Sequence, residues 1–344
     1  MRVVKEIRLE NFRCHKSYRR EFEEGVTEIL GENGCGKTSV LEAIYLMLRG
    51  KSFRAVDREI VRRNSLFYRV EMFRENGEKI TARYDGRKKF RVKDRETARL
   101  PAQEKYPVVL FLPEDLHLVS SSPARKRKFF DEMIAQRLDG FSKTVSRYEK
   151  ALRQRNELLK KEMFLRKEVF AWDMLLAKYG VEIRKERMRV VREINSLLTE
   201  TYRGIAENDD KVFIEYESFT AESDESEYLK CLELDFQRDS LTGHTNFGVH
   251  RDDFDFIFNG KVADGNASRG ETRSMVIALK FIEAGMLREP VILLDDVFSE
   301  LDESRRRALV ENFRKNQVVL TSTGRWHQHV VHLYAEHTLC LQLC

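Results

Sequence analysis

Residues 1–7 alternate apolar and polar side chains at the two-residue period of a strand, and Val26–Leu30 is a short β-rich run that enters a glycine-rich loop. Beyond the loop, Val40, Leu41, Ala43, Ile44, Leu46 and Met47 recur at helical spacing, with Gly50 as a helix stop. A meander follows. Tyr68–Phe73, Lys79–Tyr84 and 88–93 read as strands, divided by Asn76-Gly77 and Asp85-Gly86, pairs that suit a tight hairpin. Residues 106–112 form another buried strand, ending at Pro113.

From about Pro123 to Tyr202 the pattern changes. Charged stretches carry apolar residues three and four apart, as at Leu152, Leu158 and Leu159 and again at Leu175, Leu176, Tyr179 and Ile183. With glycine rare and proline absent after Pro123, this predicts long antiparallel helices, too irregular in their heptads for an extended coiled coil. Strand periodicity returns at 212–216 and at 254–258, the latter closed by Asn259-Gly260. The last part reads as a helix over 275–287, a strand at 291–294, a helix after Asp302 and a strand at Val318–Ser322. The expected architecture is an α/β nucleotide domain built from both chain ends, 1–122 and 245–344, with a mainly helical lobe, 123–244, inserted between them.

Composition narrows the class. Hydrophobic residues make up 42% and charged residues 35% of 344, a globular chain with a heavily charged surface. No run approaches the roughly 20 apolar residues of a membrane span, and residues 1–7 lack the apolar core of a signal peptide. Five scattered cysteines (Cys14, Cys35, Cys231, Cys340, Cys344) form no CxxC pair, so neither a zinc site nor a disulfide framework is expected, and a reducing, cytoplasmic location is. The net charge of +5 is compatible with nucleic acid without arguing for it.

The chemistry concentrates in two places. Gly31-Glu32-Asn33-Gly34-Cys35-Gly36-Lys37-Thr38, followed by Ser39, matches G-x-x-x-x-G-K-[ST] with a strand before and a helix after. Glycines let backbone N–H groups turn inward, and the positive end of the new helix adds to their pull on phosphate. Lys37 reaches the β/γ-phosphates of ATP and the Thr38 hydroxyl binds Mg²⁺ in such a loop. The bland reading is a glycine-rich turn that happens to precede a helix. Cys35 reads as a side chain pointing away from phosphate rather than as a catalytic thiol. The second place is Val291-Ile292-Leu293-Leu294 running into Asp295-Asp296, a strand buried on both faces with carboxylates at its end. Asp295 is assigned to Mg²⁺ and Asp296 to the general base that polarises the attacking water. In isolation two aspartates after a strand are more often a turn or a helix cap.

With Ser299-Glu300-Leu301-Asp302 following, this stretch resembles the Walker B and D-loop of ABC-type ATPases, with Asp296 where glutamate is usual. Ala267-Ser268-Arg269-Gly270-Glu271 resembles the ABC signature, with Glu271 in the place of glutamine; alone it reads equally as a serine N-cap. Thr323, after the last strand, stands where the family has a switch histidine. The stretches Leu9-Glu10-Asn11-Phe12-Arg13, Phe111-Leu112-Pro113-Glu114-Asp115-Leu116, Ser122-Pro123, Arg127-Lys128-Phe129-Phe130-Asp131, Trp172-Asp173 and Gly248-Val249-His250-Arg251-Asp252-Asp253 resemble the RecF family, bacterial DNA-repair ATPases of the ABC/SMC type, over nearly the whole chain.

That resemblance implies an ABC/SMC-type P-loop ATPase head and contacts to nucleotide from Gly31 through Ser39 and, across a head-to-head ATP-dependent homodimer, from Ser268 and Gly270. It implies DNA held through phosphates and shape, recombination mediator proteins as partners, no membrane, and slow DNA-stimulated hydrolysis in recombinational repair, replication-fork maintenance and the SOS response. Lys150, Arg153, Arg155, Lys160 and Lys161 are candidate DNA contacts, though such charge runs are commonly just solvated. His250 with Asp252 and Asp253 reads either as a metal triad or as a loop held by charge pairs. Two other classes stay open: a nuclease-associated ATPase, which needs an appended catalytic domain, and the ATPase subunit of a membrane transporter.

Overall fold

Residues 39–48 are all buried, so the first helix has no solvated face. This helix, α1 (Lys37–Arg49), lies between two sheets and touches strands of both. In the computed structural model, which describes residues 3–161, 163, 165–218, 224–323 and the backbone of 338–342, one of these sheets is antiparallel. Its strands are β1 (Glu6–Phe12), β2 (His15–Glu21), β4 (Tyr68–Phe73), β5 (Lys79–Tyr84), β6 (Lys88–Val92) and β7 (Arg95–Thr97), in the order β2-β1-β4-β5-β6-β7. The other is parallel: β3 (Val26–Leu30), β8 (Val108–Phe111), β12 (Val291–Asp295), β13 (Val318–Ser322) and β14 (Thr338–Gln342), ordered β14-β3-β13-β12-β8. The meander turns fall at the expected pairs, with Gly77 and Gly86 both at positive φ. A short helix, α2 (Asp57–Ile60), follows α1, and α9 (Glu303–Phe313), N-capped by Asp302 through the Arg305 N–H, joins β12 to β13.

The chain divides into two units: Met1–Asp115 with Glu283–Cys344, and Leu116–Ile282. The second unit contains α3 (Pro123–Arg137), α4 (Phe141–Leu159), α5 (Arg166–Ala206), β9 (Val212–Glu217), α6 (Glu225–Leu234), α7 (Phe236–Thr242), β10 (Asp253–Phe258), β11 (Lys261–Val262) and all but the last turn of α8 (Arg269–Gly285). Residues 245–282 thus belong with the insertion, where the sequence had suggested the nucleotide domain. The cause is pairing. β10 is antiparallel to β9 from Asp253↔Glu217 to Phe258↔Val212, and a strand goes with its sheet.

α5 has 41 residues, about 60 Å of helix at 1.5 Å per residue. Val169, Leu176, Ala177, Ile183, Val190, Ile194, Leu198 and Tyr202 form its buried stripe, mostly at four- and seven-residue steps. Fully buried Arg155 of α4 donates to Asp173 (2.6 Å), Asp239 (2.6 Å) and the Thr245 hydroxyl (2.8 Å). Arg187 of α5 spans both oxygens of Asp131 (2.8 Å each) and the Val249 carbonyl (2.7 Å). Arg155 therefore does not serve as a DNA contact, since its whole guanidinium is enclosed; Lys150, Arg153, Lys160 and Lys161 are exposed.

Candidate nucleotide site

Parallel pairing brings three strand ends to one edge. The registers Ser322↔Leu30 and Asp295↔Thr321 line up the C-terminal ends of β3, β13 and β12. In open parallel sheets ligands bind at this edge, where loops leave the strands. The loop after β3 turns through Gly34 (φ 85°) and Gly36 (φ 103°), left-handed conformations that favour glycine, and Gly36 is the N-cap of α1. Glu32, Asn33 and Gly34 are exposed, and Gly31, Cys35 and Gly36 half-buried.

Buried Lys37 folds its ammonium back over the loop, donating to the carbonyl oxygens of Gly31 (2.6 Å) and Glu32 (2.9 Å). Thr38 turns the other way, and its hydroxyl donates to Asp295 Oδ1 at 2.9 Å. The same carboxylate oxygen accepts from the Thr321 hydroxyl at 2.9 Å, and Thr321 Oγ1 accepts the Asp296 N–H at 2.9 Å. Loop, strand β13 and the end of β12 are thereby tied through one oxygen.

Asp296 sits at φ 49°, a conformation that aspartate tolerates better than most residues. Its Oδ1 is buried and has no hydrogen-bond partner among the described residues. Burial pushes its carboxyl pKa up; Lys37 opposes, while the Asp295 and Glu300 charges push the same way. Such an acceptor, shielded and unpartnered, is suited to a water or other donor brought by a ligand.

Behind the loop, Glu42 of α1 is fully buried and receives Arg13 Nε (2.8 Å) and Nη2 (2.7 Å), Arg54 Nε (3.0 Å) and the Ser52 hydroxyl (2.6 Å). Burial raises its pKa, and these donors outweigh burial to hold the carboxyl below the usual range. Arg54 also reaches the buried Ser39 hydroxyl at 3.4 Å.

The structure thus assembles Gly31 through Ser39 with Asp295 and Asp296. Ser268 and Gly270 open α8 in the other unit, where the Ser268 N–H donates to Glu271 (2.5 Å) and the Glu271 N–H to the Ser268 hydroxyl (3.3 Å). This is a capping box, which Glu or Gln can complete, and the positive end of α8 favours the charged one. Thr323 follows β13 half-buried; the hydroxyl that enters the site, in the same Thr321-Ser322-Thr323 stretch, is that of Thr321, to which the sequence assigned no role of its own. Its signal was slight: two polar residues, Thr321 and Ser322, ending an otherwise apolar strand. His250 is no metal ligand. Its Nε2 meets the Thr245 carbonyl (3.0 Å), its Nδ1 the Tyr148 hydroxyl (2.8 Å), and no metal-ligating cluster exists among the described residues. No described helix is long and apolar enough to cross a membrane.

Comparison with known proteins agrees with this arrangement. A family model described as the RecF/RecN/SMC N terminal domain matches residues 3–332. The chain is 32% identical over 338 residues to the DNA replication and repair protein RecF of Lachnoclostridium phytofermentans, covering 94% of this chain and 93% of that one. A solved structure of the recombination mediator protein RecF-ATP of the RecFOR pathway matches with a TM-score of 0.84 at 29% identity, over 94% of this chain and 92% of the other. The Smc head domain of Pyrococcus furiosus bound to the C-terminal domain of ScpA shares the fold alone, with a TM-score of 0.56 at 16% identity over 100% and 94% of the two chains.

Proposed function

The chain belongs to the RecF family, within the wider RecF/RecN/SMC group, and on that premise we propose that it is an ATP-driven DNA-binding switch of recombinational repair. The observation that carries the reading is the Thr38–Asp295–Thr321 junction beside the unpartnered Asp296 oxygen. It supports a site organised around a hard cation and a polarised water, which a glycine-rich turn alone does not require.

In this reading the N–H groups from Gly31 to Ser39 and the N-terminus of α1 cradle the phosphates of ATP. Lys37 exchanges its carbonyl partners for phosphate oxygens. Thr38 and Asp295 are the hydroxyl and carboxylate donors that fit Mg²⁺, whose oxygen-only chemistry they match. Bound there, Mg²⁺ neutralises charge on the phosphates. Asp296 orients water for attack on the γ-phosphate, and Thr321 positions both aspartates. The exposed N-terminus of α8, with Ser268 and Gly270, supplies anion-binding N–H groups to the ATP of a second copy, so ATP closes a head-to-head homodimer.

Exposed lysines and arginines of the second unit, Lys150 and Arg153 among them, hold DNA through its phosphates without reading bases. Slow hydrolysis reopens the dimer, making ATP a timer of DNA residence. Recombination mediator proteins are the partners that join at this stage, in repair, replication-fork maintenance and the SOS response.

Calorimetric titration with ATP and Mg²⁺ tests the assignment. Wild type should bind, Asp295→Asn should lose the Mg²⁺ dependence, and Lys37→Met should weaken binding by at least about tenfold, the loss of one charge-assisted phosphate contact. Equal affinity in all three proteins would sink the reading.

A further inference from the structure

The turn between β1 and β2 packs its side chains against the phosphate loop. His15 Nε2 lies 3.2 Å from the Gly36 carbonyl oxygen, and the His15 and Tyr18 rings are 4.9 Å apart. A Cβ built on Gly36 would stand 2.4 Å from Cys14 Sγ and 2.6 Å from His15 Nε2, so the hairpin occupies the space a side chain there would need. Cys14 Sγ is 3.9 Å from the carbonyl oxygen of Cys35, the central residue of the loop. Burial pushes the Tyr18 hydroxyl in this hairpin up to about 12, a value to which Cys35 of the loop contributes in the same direction and Arg20 in the opposite one. Both cysteines are free, Cys14 exposed and Cys35 half-buried.

We propose that Cys14 and Cys35 form a modification site, a thiol pair that peroxide oxidises to a disulfide, tying the β1–β2 hairpin to the phosphate loop and weakening nucleotide binding. The nucleotide half rests on the ATP-binding reading above. Cys14 Sγ lies against the loop backbone at Cys35 and Gly36, so the bridge requires the Cys35 side chain to turn to the hairpin side of the loop. The chemistry balances with hydrogen peroxide as oxidant. The exposed Cys14 sulfur attacks one peroxide oxygen, the O–O bond breaks, and a sulfenic acid and one water result. The Cys35 sulfur then attacks the sulfenic sulfur, forming the S–S bond and expelling the second water. Two thiols have lost two electrons and two protons to one peroxide, and a dithiol reductant reverses the change. Cys35 carries its own N–H and adjoins that of Gly36, so pulling its side chain toward the hairpin turns two phosphate donors off their line.

The test treats the full chain with hydrogen peroxide, maps cross-linked peptides by mass spectrometry and titrates ATP with Mg²⁺ before and after. The expected result is a Cys14–Cys35 linked peptide and about tenfold weaker binding, about 1.4 kcal/mol, restored by dithiothreitol. Cys14→Ser should keep its affinity under peroxide, and Cys231→Ser should respond as wild type does. Absence of the linked peptide, linkage with unchanged affinity, or the same affinity loss in Cys14→Ser would each overturn the proposal. Failure of the reduced protein to bind ATP would instead strike the function proposed above, and the linked peptide would still decide the pairing.

Discussion

His250 is held neutral by its surroundings. A carbonyl can only accept, so the bond to Thr245 fixes the proton on Nε2, and Nδ1 must accept from Tyr148. Burial lowers the imidazole pKa to about 4, against about 6.5 in an unfolded chain. The unfolded state therefore binds more protons between those values, and stability contributed by the neutral form is full above pH 6.5 and lost as pH falls toward 4. At pH 5 the loss is on the order of 2 kcal/mol. Urea midpoints at pH 7 and 5 check this: wild type should fall further than His250→Gln, and equal falls would contradict it. Arg155 makes a second case. Truncation to alanine leaves buried Asp239 without its arginine and Asp173 with Arg166 alone, at about 3–5 kcal/mol, read as a lower urea midpoint. Thr321→Val leaves the Asp296 N–H without its acceptor and Asp295 with one donor fewer. About 1–3 kcal/mol of stability is lost, and nucleotide-dependent hydrolysis should drop with it.

At the scale of elements, Gly180 in the middle of α5 is the informative residue. Glycine costs a helix about 1 kcal/mol relative to alanine, yet a Cβ here would lie 2.6–2.7 Å from two ring carbons and the hydroxyl oxygen of Tyr228 in α6. Gly180→Ala should therefore destabilise by about 1–2 kcal/mol, overpacking outweighing propensity; a rise in thermal midpoint would show that α6 gives way easily. The same contrast between local and non-local causes explains what the sequence disclosed. The phosphate loop, the hairpin turns at Gly77 and Gly86 and the apolar strand into Asp295 depend on neighbours a few residues away, so their spacing reveals them. The unit boundary was not legible, because β10 joins the insertion through pairing with β9 across residues 218–252. Thr321 acquires its place only from the lateral register of β12 and β13. Arg155 lies among exposed basic residues on α4, and its burial follows from where α5 and α7 bring Asp173 and Asp239.

For the whole molecule the claim is that nucleotide controls assembly and assembly controls DNA. Each phosphate contact removed should reduce the slope of log affinity against log salt by about 1. Lys150→Gln and Arg153→Gln are expected to do so in DNA-binding titrations across salt, whereas Arg155→Met leaves the slope of the folded protein unchanged because its charge never meets solvent. A reduced slope in Arg155→Met would mean that the second unit opens on DNA.

The most direct test is the mass of the protein in solution with and without ATP and Mg²⁺. Wild type should double its mass with ATP, Asp296→Asn should stay doubled after wild type has returned to monomer, and Ser268→Arg should remain monomeric while still binding ATP. A monomer in every condition, with ATP bound, would contradict the switch and leave a nucleotide-binding protein whose second anion site serves no partner.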